Sequence, residues 1–482
     1  MGETMTYNEL QPQKLFSYFK IISDIPRSSG NEADISMYVY NTAMSLGHDA
    51  HIDSYGNVLV TAKATEGYED HPPIMLQAHL DMVCEANQDT THDFNVDPLE
   101  LVIKGDWLKA NGTTLGADDG IGVAAMLAIL DSNIPHPPLE CLFTVEEEVG
   151  MGGITKFDAS TITSRRLINL DAVGDATVTA SCAGSVRSYI FFEYEKIPSP
   201  NNLTYLSIKV KGLFGGHSGE DAHRGRSGAV SIMSHLLSCG NNVSRIFIAD
   251  LKGGNRENAI PRECSALIGV SEPDKFMKAI FEEEEKIRQL LVPDDYGMNI
   301  SVSIIENIPF VLSDKDSTRL ISMISILPTG VQSMSHSIKG LVEASVNLAS
   351  IKCQKNEYVI AIHSRSSCNE KLDELIQKID ISAHKHACKV DHINRYPGWS
   401  FEKDTPLQML YLSLCKKIYG VDGTVTGIHA GLECGVIKEK IPDMDIIAIG
   451  PEIHNLHSPD EKLSISSFAK LYNMLCEILK NA

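Results

Sequence analysis

The apolar run 74–78 of this chain ends in His79-Leu80-Asp81. Two positions apart on an extended backbone, His79 and Asp81 point to one face. An imidazole there can bind a metal while the acid beside it fixes its orientation. Taken alone, the stretch reads more readily as a core histidine capped by a nearby acid. Four later segments repeat the design. The apolar run 139–145 leads straight into Glu146-Glu147-Glu148, and the run 167–170 into Asp171. Three adjacent acids repel one another unless a cation or solvent relieves them, so a solvated acidic loop is the plainer reading of 146–148. The run 445–450 is followed by a loop holding His454 and His457. Finally, the glycine-rich turn 111–120 ends in Gly116-Ala117-Asp118-Asp119-Gly120 and opens an apolar helix, 121–130. Acids are favoured at a helix N-terminus by the free amides and the dipole, but a plain cap needs one acid and this turn supplies two. It has no lysine where a phosphate-binding loop requires one.

Four of the five candidates, His79, Glu147 or Glu148, Asp171 and His457, follow a strand at its C-terminal end, and Asp118 opens a helix. In an open α/β sheet, ligands gather beyond the carboxyl ends of the strands. Two histidines and three carboxylates suit Zn²⁺, Mn²⁺ or Co²⁺. Five ligands exceed the three typical of one catalytic zinc and suit two ions sharing a bridging carboxylate, about 3.5–4 Å apart. Water between such ions ionises near neutral pH and attacks an amide carbonyl, given a base that is not itself tied to metal. Adjacent Glu147 and Glu148 offer one acid for each task. Neighbours on an extended segment point opposite ways, so a turn must aim both inward, and Gly150, Gly152 and Gly153 permit one.

The elements that would position these residues alternate between short strands and helices. Helices are expected at 8–22 and 31–46, the second capped by Asn31-Glu32-Ala33-Asp34, with strands at 51–53, 58–62, 74–78, 100–104 and 107–110. Between 203 and 394 the order changes to strand, helix, strand, strand, helix, strand, twice over. That suggests two tandem ferredoxin-like halves. None of the five ligand candidates falls there, which marks it as an inserted domain, with crossings near 181–184 and 396–399. Helices 406–418 and 465–479 return to the first domain. The expected fold is α/β: a domain with a mixed, mostly parallel sheet, residues 1–185 and 398–482, and an inserted α+β domain, residues 186–397.

With 482 residues, 43% hydrophobic and 22% charged, the chain has the composition of a soluble globular protein of two or three domains. A formal net charge of −21 argues against nucleic-acid or anionic-membrane partners, which need clustered Lys and Arg. No apolar run reaches the roughly 18–20 residues of a membrane span, and the polar first 13 residues lack the core of a signal peptide. Met1-Gly2 with Thr6 fits the loose myristoylation pattern that many chance starts share. Eleven scattered cysteines without a C-x-x-C pair fit reduced thiols in a cytoplasm.

The segments His79-Leu80-Asp81, Gly116-Ala117-Asp118-Asp119-Gly120, Glu146-Glu147-Glu148-Val149-Gly150, Asn169-Leu170-Asp171 and His457-Ser458-Pro459 together resemble the di-metal peptidases that include carboxypeptidase G2, peptidase T and the carnosinases. Gly215-Gly216-His217-Ser218-Gly219, Asn258-Ala259-Ile260-Pro261-Arg262-Glu263, Arg365-Ser366-Ser367 and His429-Ala430-Gly431-Leu432-Glu433-Cys434-Gly435 extend the match nearly end to end. The resemblance implies that the first domain is a three-layer catalytic domain and the inserted one a lid. It also implies two Zn²⁺ per chain, with Mn²⁺ or Co²⁺ as substitutes. His79, Asp118 and Asp171 would hold one, and Asp118, Glu148 and His457 the other. Glu147 would be the general base, Asp81 would orient His79, and His217 would polarise the substrate carbonyl, in this family often from a partner subunit. Asn258, Arg365 and the Gly431 backbone would bind the substrate's C-terminal carboxylate, and Glu433 is a candidate contact for its free amine. The family's turn often reads Asp-Asn where this chain has Asp118-Asp119, and the bridge goes to the first acid by register. Counting back from Val149-Gly150 makes Glu146 a bystander. The implied activity is a cytoplasmic, homodimeric dipeptidase acting on Xaa-His, carnosine-type and other dipeptides. An N-acyl-amino-acid deacylase or a tripeptide aminopeptidase would use the same site, and a binding or regulatory protein on an inactive scaffold would lack the metal.

Overall fold

The computed structural model describes residues 7–482; the myristoylation pattern at Met1-Gly2 and Thr6 lies outside them. The chain divides into two compact units. One runs up to Ser181 and resumes at Trp399–Gly427 and Leu432–Ala482; the other comprises Cys182–Gly398 and Ile428–Gly431. The sequence offered no signal for the short return at 428–431, having assigned all of 398–482 to the first domain.

The first unit is built on an eight-stranded sheet. Its strands run in the order Asp49–Ile52, Val58–Ala62, Leu139–Thr144, Ile74–His79, Arg166–Asn169, Asp445–Ala448, Thr177–Cys182, Thr424–Ile428. The central four, from Leu139–Thr144 to Asp445–Ala448, pair in parallel. Antiparallel strands flank them, including Val58–Ala62 on one side and Thr177–Cys182 on the other. Parallel pairing therefore marks the centre of a mixed sheet, and each central strand delivers one of the candidate segments at its carboxyl end. Being buried on both faces, these strands read as continuous apolar runs rather than alternating ones.

Alternation along the central strands sorts two layers. Ile74, Leu76 and Ala78, with Cys141, Phe143 and Ile168, join a core shared with the helix Ala117–Leu130. That helix is apolar all round and almost wholly buried, as a helix sandwiched between layers must be. Gln13–Ser23 and Ile465–Asn481 cover it, and Phe16 and Phe19 both meet Phe468 edge to face, with centroids 5.4 and 5.9 Å apart. Gln77, Thr144 and Asn169 point the other way. Gly122 sits where this helix crosses the strand ends. A Cβ there would lie 2.8 Å from the Cβ atoms of Ala78 and Leu170. Gly122→Ala is therefore expected to cost about 1–3 kcal/mol through overpacking, read as a lower urea midpoint at unchanged m-value.

The second unit contains the two ferredoxin-like halves, but they are nested rather than tandem. One half orders its strands Asn299–Ile304, Thr204–Lys211, Cys264–Val270, Ile246–Gly253; the other Lys389–Tyr396, Gly184–Glu193, Glu357–Ser366, Val342–Gln354. Both follow the order fourth, first, third, second. The first strand of the second half, Gly184–Glu193, precedes the whole of the other half in sequence. The sequence reading began this region at 203 and so lacked that strand. The equivalent edge strands of the two halves meet antiparallel at Gly253 and Ile351, which relates the halves by a local pseudo-twofold. Their four long helices share one core. Gly184 and Gly398 pass so closely that a Cβ on Gly184 would lie 2.3 Å from the Gly398 nitrogen.

Candidate metal centre

The carboxyl ends of the central strands in the first unit bring His79, Asp118, Glu148, Asp171 and His457 together. Asp118 stands in the middle. Its Oδ1 lies 3.0 Å from His79 Nε2 and its Oδ2 3.1 Å from His457 Nε2. Asp171 Oδ1 is 3.9 Å from His79 Nε2, and Glu148 Oε1 is 3.2 Å from His457 Nε2. Each oxygen of Asp118 thus faces a different imidazole, and donor atoms of His79, Asp118 and Glu148 also lie within 4.8 Å of one another. Donor atoms around one tetrahedral zinc, bonded at about 2.0–2.1 Å, are roughly 3.3 Å apart, so these spacings fit cations. Glu148 Oε1 is buried without an aligned hydrogen-bond donor, which also suits a metal ligand.

Electrostatics point the same way. Burial, and then neighbouring Asp118, pushes the Asp171 carboxyl well above the usual carboxylate range. Burial does the same to Glu147. The hydrogen bond to Asp118 and the negative charge of nearby Glu148 hold the His457 imidazole up to about 11. Crowded, buried acids favour either protonation or a bound cation that relieves their repulsion.

Asp119 is a neighbour of this set with a different task. The Asp118-Asp119 peptide is cis, and both residues have non-helical dihedrals at the head of their helix. Asp119 is fully buried; its Oδ2 accepts from the His79 amide at 3.2 Å and its Oδ1 from the Gly122 amide at 3.1 Å. It also falls within reach of His79 and Asp171 as a third possible donor.

Aiming two adjacent glutamates at one site is the work of Asp81. Its Oδ1 accepts the Glu147 amide at 3.0 Å and its Oδ2 the Glu148 amide at 3.1 Å, while Ser29 Oγ donates to Oδ2 at 2.8 Å. Oδ1 is also 3.4 Å from His79 Nδ1, whose closer partner is the Asp81 carbonyl at 3.1 Å. Asn57 braces the same loop, accepting from the Val145 amide and donating to the Gly153 carbonyl. No donor among the described residues holds the Glu147 carboxyl, and Glu147 belongs to neither ligand set. Glu146 has φ +56° and its amide donates to Glu32. Glu32 was expected to help cap the following helix, yet its side chain serves the Gly30 and Glu146 amides instead. His454 stays out of the cluster, paired with Glu452 and packed edge-on to Trp107.

The Glu433 side chain is enclosed, and its Oε1 has no hydrogen-bond partner among the described residues. The carboxyl is 1% exposed and accepts from Thr144 Oγ1 at 2.5 Å and from Gln77 Nε2, and burial pushes it up to about 7. Gln77 in turn accepts from Asn169 Nδ2, whose Oδ1 receives the Asp171 amide. Glu433 thus anchors a polar row beneath the ligand-bearing strand ends. Ser29, Asn57, Gln77, Thr144 and Asn169 were missed in the sequence because isolated polar residues carry no periodic signal.

The second unit holds His217, Asn258, Arg365 and Gly431. His217 pairs with Ala259 in a two-stranded ribbon, and the Ser218 amide donates to the Asn258 carbonyl at 2.7 Å. Asn347 Nδ2 braces this ribbon by donating to the Ala259 carbonyl at 2.8 Å. Arg365 is buried with Nη1 3.5 Å from Tyr396 Oη and no partner for Nε. Gly219 touches three of these groups: a Cβ there would lie 3.2 Å from both Arg365 Nε and His217 Cε1 and 2.5 Å from the His429 carbonyl. Gly431 follows Ala430, whose carbonyl accepts from the Ala183 amide at 2.9 Å.

Comparison with known proteins identifies relatives of the whole chain. The model of peptidase family M20/M25/M40 matches residues 75–481. The cytosol non-specific dipeptidase of Escherichia coli (strain K12) is 34% identical over 478 residues, covering 98% of each chain. The solved structure of an aminoacylhistidine dipeptidase from Vibrio alginolyticus superposes with a TM-score of 0.92 at 32% identity, covering 100% of this chain and 99% of that one. Aminopeptidase PepT from Bacillus cereus ATCC 10987 shares the fold, with a TM-score of 0.57 at 17% identity over 98% of each chain.

Proposed function

This chain belongs to peptidase family M20/M25/M40, and from that premise we propose that it is a di-zinc dipeptidase cleaving Xaa-His, carnosine-type and other dipeptides. The observation that carries the reading is Asp118, with one oxygen against each of two imidazoles, beside a glutamate that no donor among the described residues holds. His79, Asp118 and Asp171 would hold one cation, and Asp118, Glu148 and His457 the other, with Mn²⁺ or Co²⁺ able to replace Zn²⁺. When bound, such ions supply Lewis acidity and lower the pKa of water to near neutrality. Glu147 takes the proton from the attacking water and returns it to the leaving amine nitrogen. Its buried, acid-rich surroundings raise its proton affinity, which suits both halves of that shuttle. Asp81 holds Glu147 and Glu148 in register through their amides and backs His79.

Arg365, Asn258 and the Gly431 backbone receive the substrate's C-terminal carboxylate, and His217 polarises the scissile carbonyl. A buried guanidinium with an unpartnered Nε supports an anionic ligand, since its fork matches a carboxylate. Arg365→Lys is expected to raise KM about tenfold or more, from the loss of charge-assisted bonds of about 1.5–3 kcal/mol, with a smaller change in kcat. The protein is read as cytoplasmic and homodimeric through the second unit; all eleven cysteines are free of disulfides, and among the described residues no helix is long and apolar enough to cross a membrane. The deciding test is one panel of dipeptides, dipeptide amides, tripeptides and N-acyl amino acids, with metal content measured on the same sample. Dipeptide cleavage with close to two metals per chain is expected. Preference for N-acyl amino acids would make it a deacylase, preference for tripeptides a tripeptide aminopeptidase, and metal content near zero an inactive scaffold.

A further inference from the structure

Two buried charges outside the ligand set grip the same turn from opposite sides. Arg27 is 2% exposed; its Nη1 donates to the carbonyls of Leu80 at 2.9 Å and Asp81 at 3.0 Å, and its Nη2 donates to the carbonyl of Gly116. Its own carbonyl accepts the Met82 amide at 3.1 Å. Glu461, also 2% exposed, accepts three successive amides of the turn: Leu115 at 2.7 Å, Gly116 at 3.0 Å and Ala117 at 2.9 Å. The Glu461 amide donates to the Ser458 carbonyl at 3.0 Å, closing the turn that begins beside His457. Arg27 therefore ties the strand end bearing His79 to the turn bearing Asp118. Glu461 ties that turn to the loop bearing His457. Both charges meet at Gly116, one on its carbonyl and one on its amide.

The glycines of the turn follow from the same contact. A Cβ at Gly116 would lie 2.5 Å from Arg27 Nη2, and one at Gly120 2.8 Å from it. Burying two full charges is a poor route to stability, because apolar groups of similar volume do as well or better. What a guanidinium fork and a carboxylate add is direction: each fixes the orientation of named peptide groups. The groups fixed here are those next to the residues whose donor atoms stand 3.0 and 3.1 Å apart.

We propose that Arg27 and Glu461 are positioning residues that set the spacing of His79, Asp118 and His457 for a pair of cations, raising metal affinity without touching metal or substrate. This rests on the metal-centre reading above. The test uses full-length protein stripped of metal, its affinity for Zn²⁺ measured by competition with a chromophoric chelator, with circular dichroism and melting of the metal-free form and KM at saturating Zn²⁺ on the same preparations. In Glu461→Gln the carboxamide keeps the shape but turns an N–H toward a backbone N–H. Zn²⁺ affinity is expected to fall about 10- to 100-fold, with metal-free melting close to the parent's and KM within about twofold. Arg27→Met is expected to behave alike, and Glu461→Gln alone decides if that variant does not fold. Parental affinity in Glu461→Gln, or an affinity loss matched by equal destabilisation of the metal-free form, would overturn the proposal alone. Absence of Zn²⁺ binding by the unmutated protein would overturn the metal-centre reading and this one with it.

Discussion

Glu147→Gln is expected to lower kcat about 10²- to 10⁴-fold while metal content and KM stay close to those of the parent. The amide preserves the shape and the backbone hydrogen bond to Asp81 but cannot accept the proton of the attacking water. Because Glu147 lies outside both ligand sets, the loss falls on the chemical step rather than on assembly of the centre. Its neighbours provide the controls. Glu148→Gln should lose metal together with activity, since Glu148 faces His457 at 3.2 Å. Glu146→Gln should retain activity within about twofold. A Glu147→Gln protein that is fully active with metal bound would move the base elsewhere.

Stripping the metals is expected to abolish turnover entirely and to lower the melting temperature, both restored by Zn²⁺. The ions bind the native chain, so they stabilise it by mass action, about 4 kcal/mol per site at a free concentration a thousand times Kd. Without them, buried Asp171 and Glu147 must take up protons or repel one another. Acid should therefore weaken metal binding, since ligands must shed protons to bind. Calorimetry of the stripped and reloaded protein, with activity followed in parallel, measures both effects. Full activity in the presence of a strong chelator, with no metal remaining on the protein, would contradict the assignment.

The residues proposed to hold metal were legible because each adjoins an apolar run, and a run bounded by a donor leaves a mark on the sequence. His79, Asp171 and His457 could be found that way, as could Asp118 at the head of an apolar helix. The residues that aim them were not. Asp81 was read as a partner for His79, and its Oδ1 lies 3.4 Å from His79 Nδ1, but nothing in the sequence signalled that its carboxyl also receives the Glu147 and Glu148 amides. Arg27 and Glu461 are single charges in turns, and nothing in their neighbourhood distinguishes a buried clamp from a solvated surface group. Long-range pairing was equally hidden. The strand Gly184–Glu193 pairs with Glu357–Ser366 and Lys389–Tyr396, and periodicity within one strand says nothing about which distant strand it will join.

The nested order of the two halves has a consequence for birth on the ribosome. Gly184–Glu193 emerges early, yet both its neighbours are translated only after the entire other half. At about 5–20 residues per second, its apolar side stays uncovered for on the order of ten seconds or more, while the intervening half can already close on itself. That interval is when a nascent chain is exposed to aggregation and to chaperones. The His457 imidazole appears later still, so the proposed metal centre cannot form on the growing polypeptide until that residue has emerged.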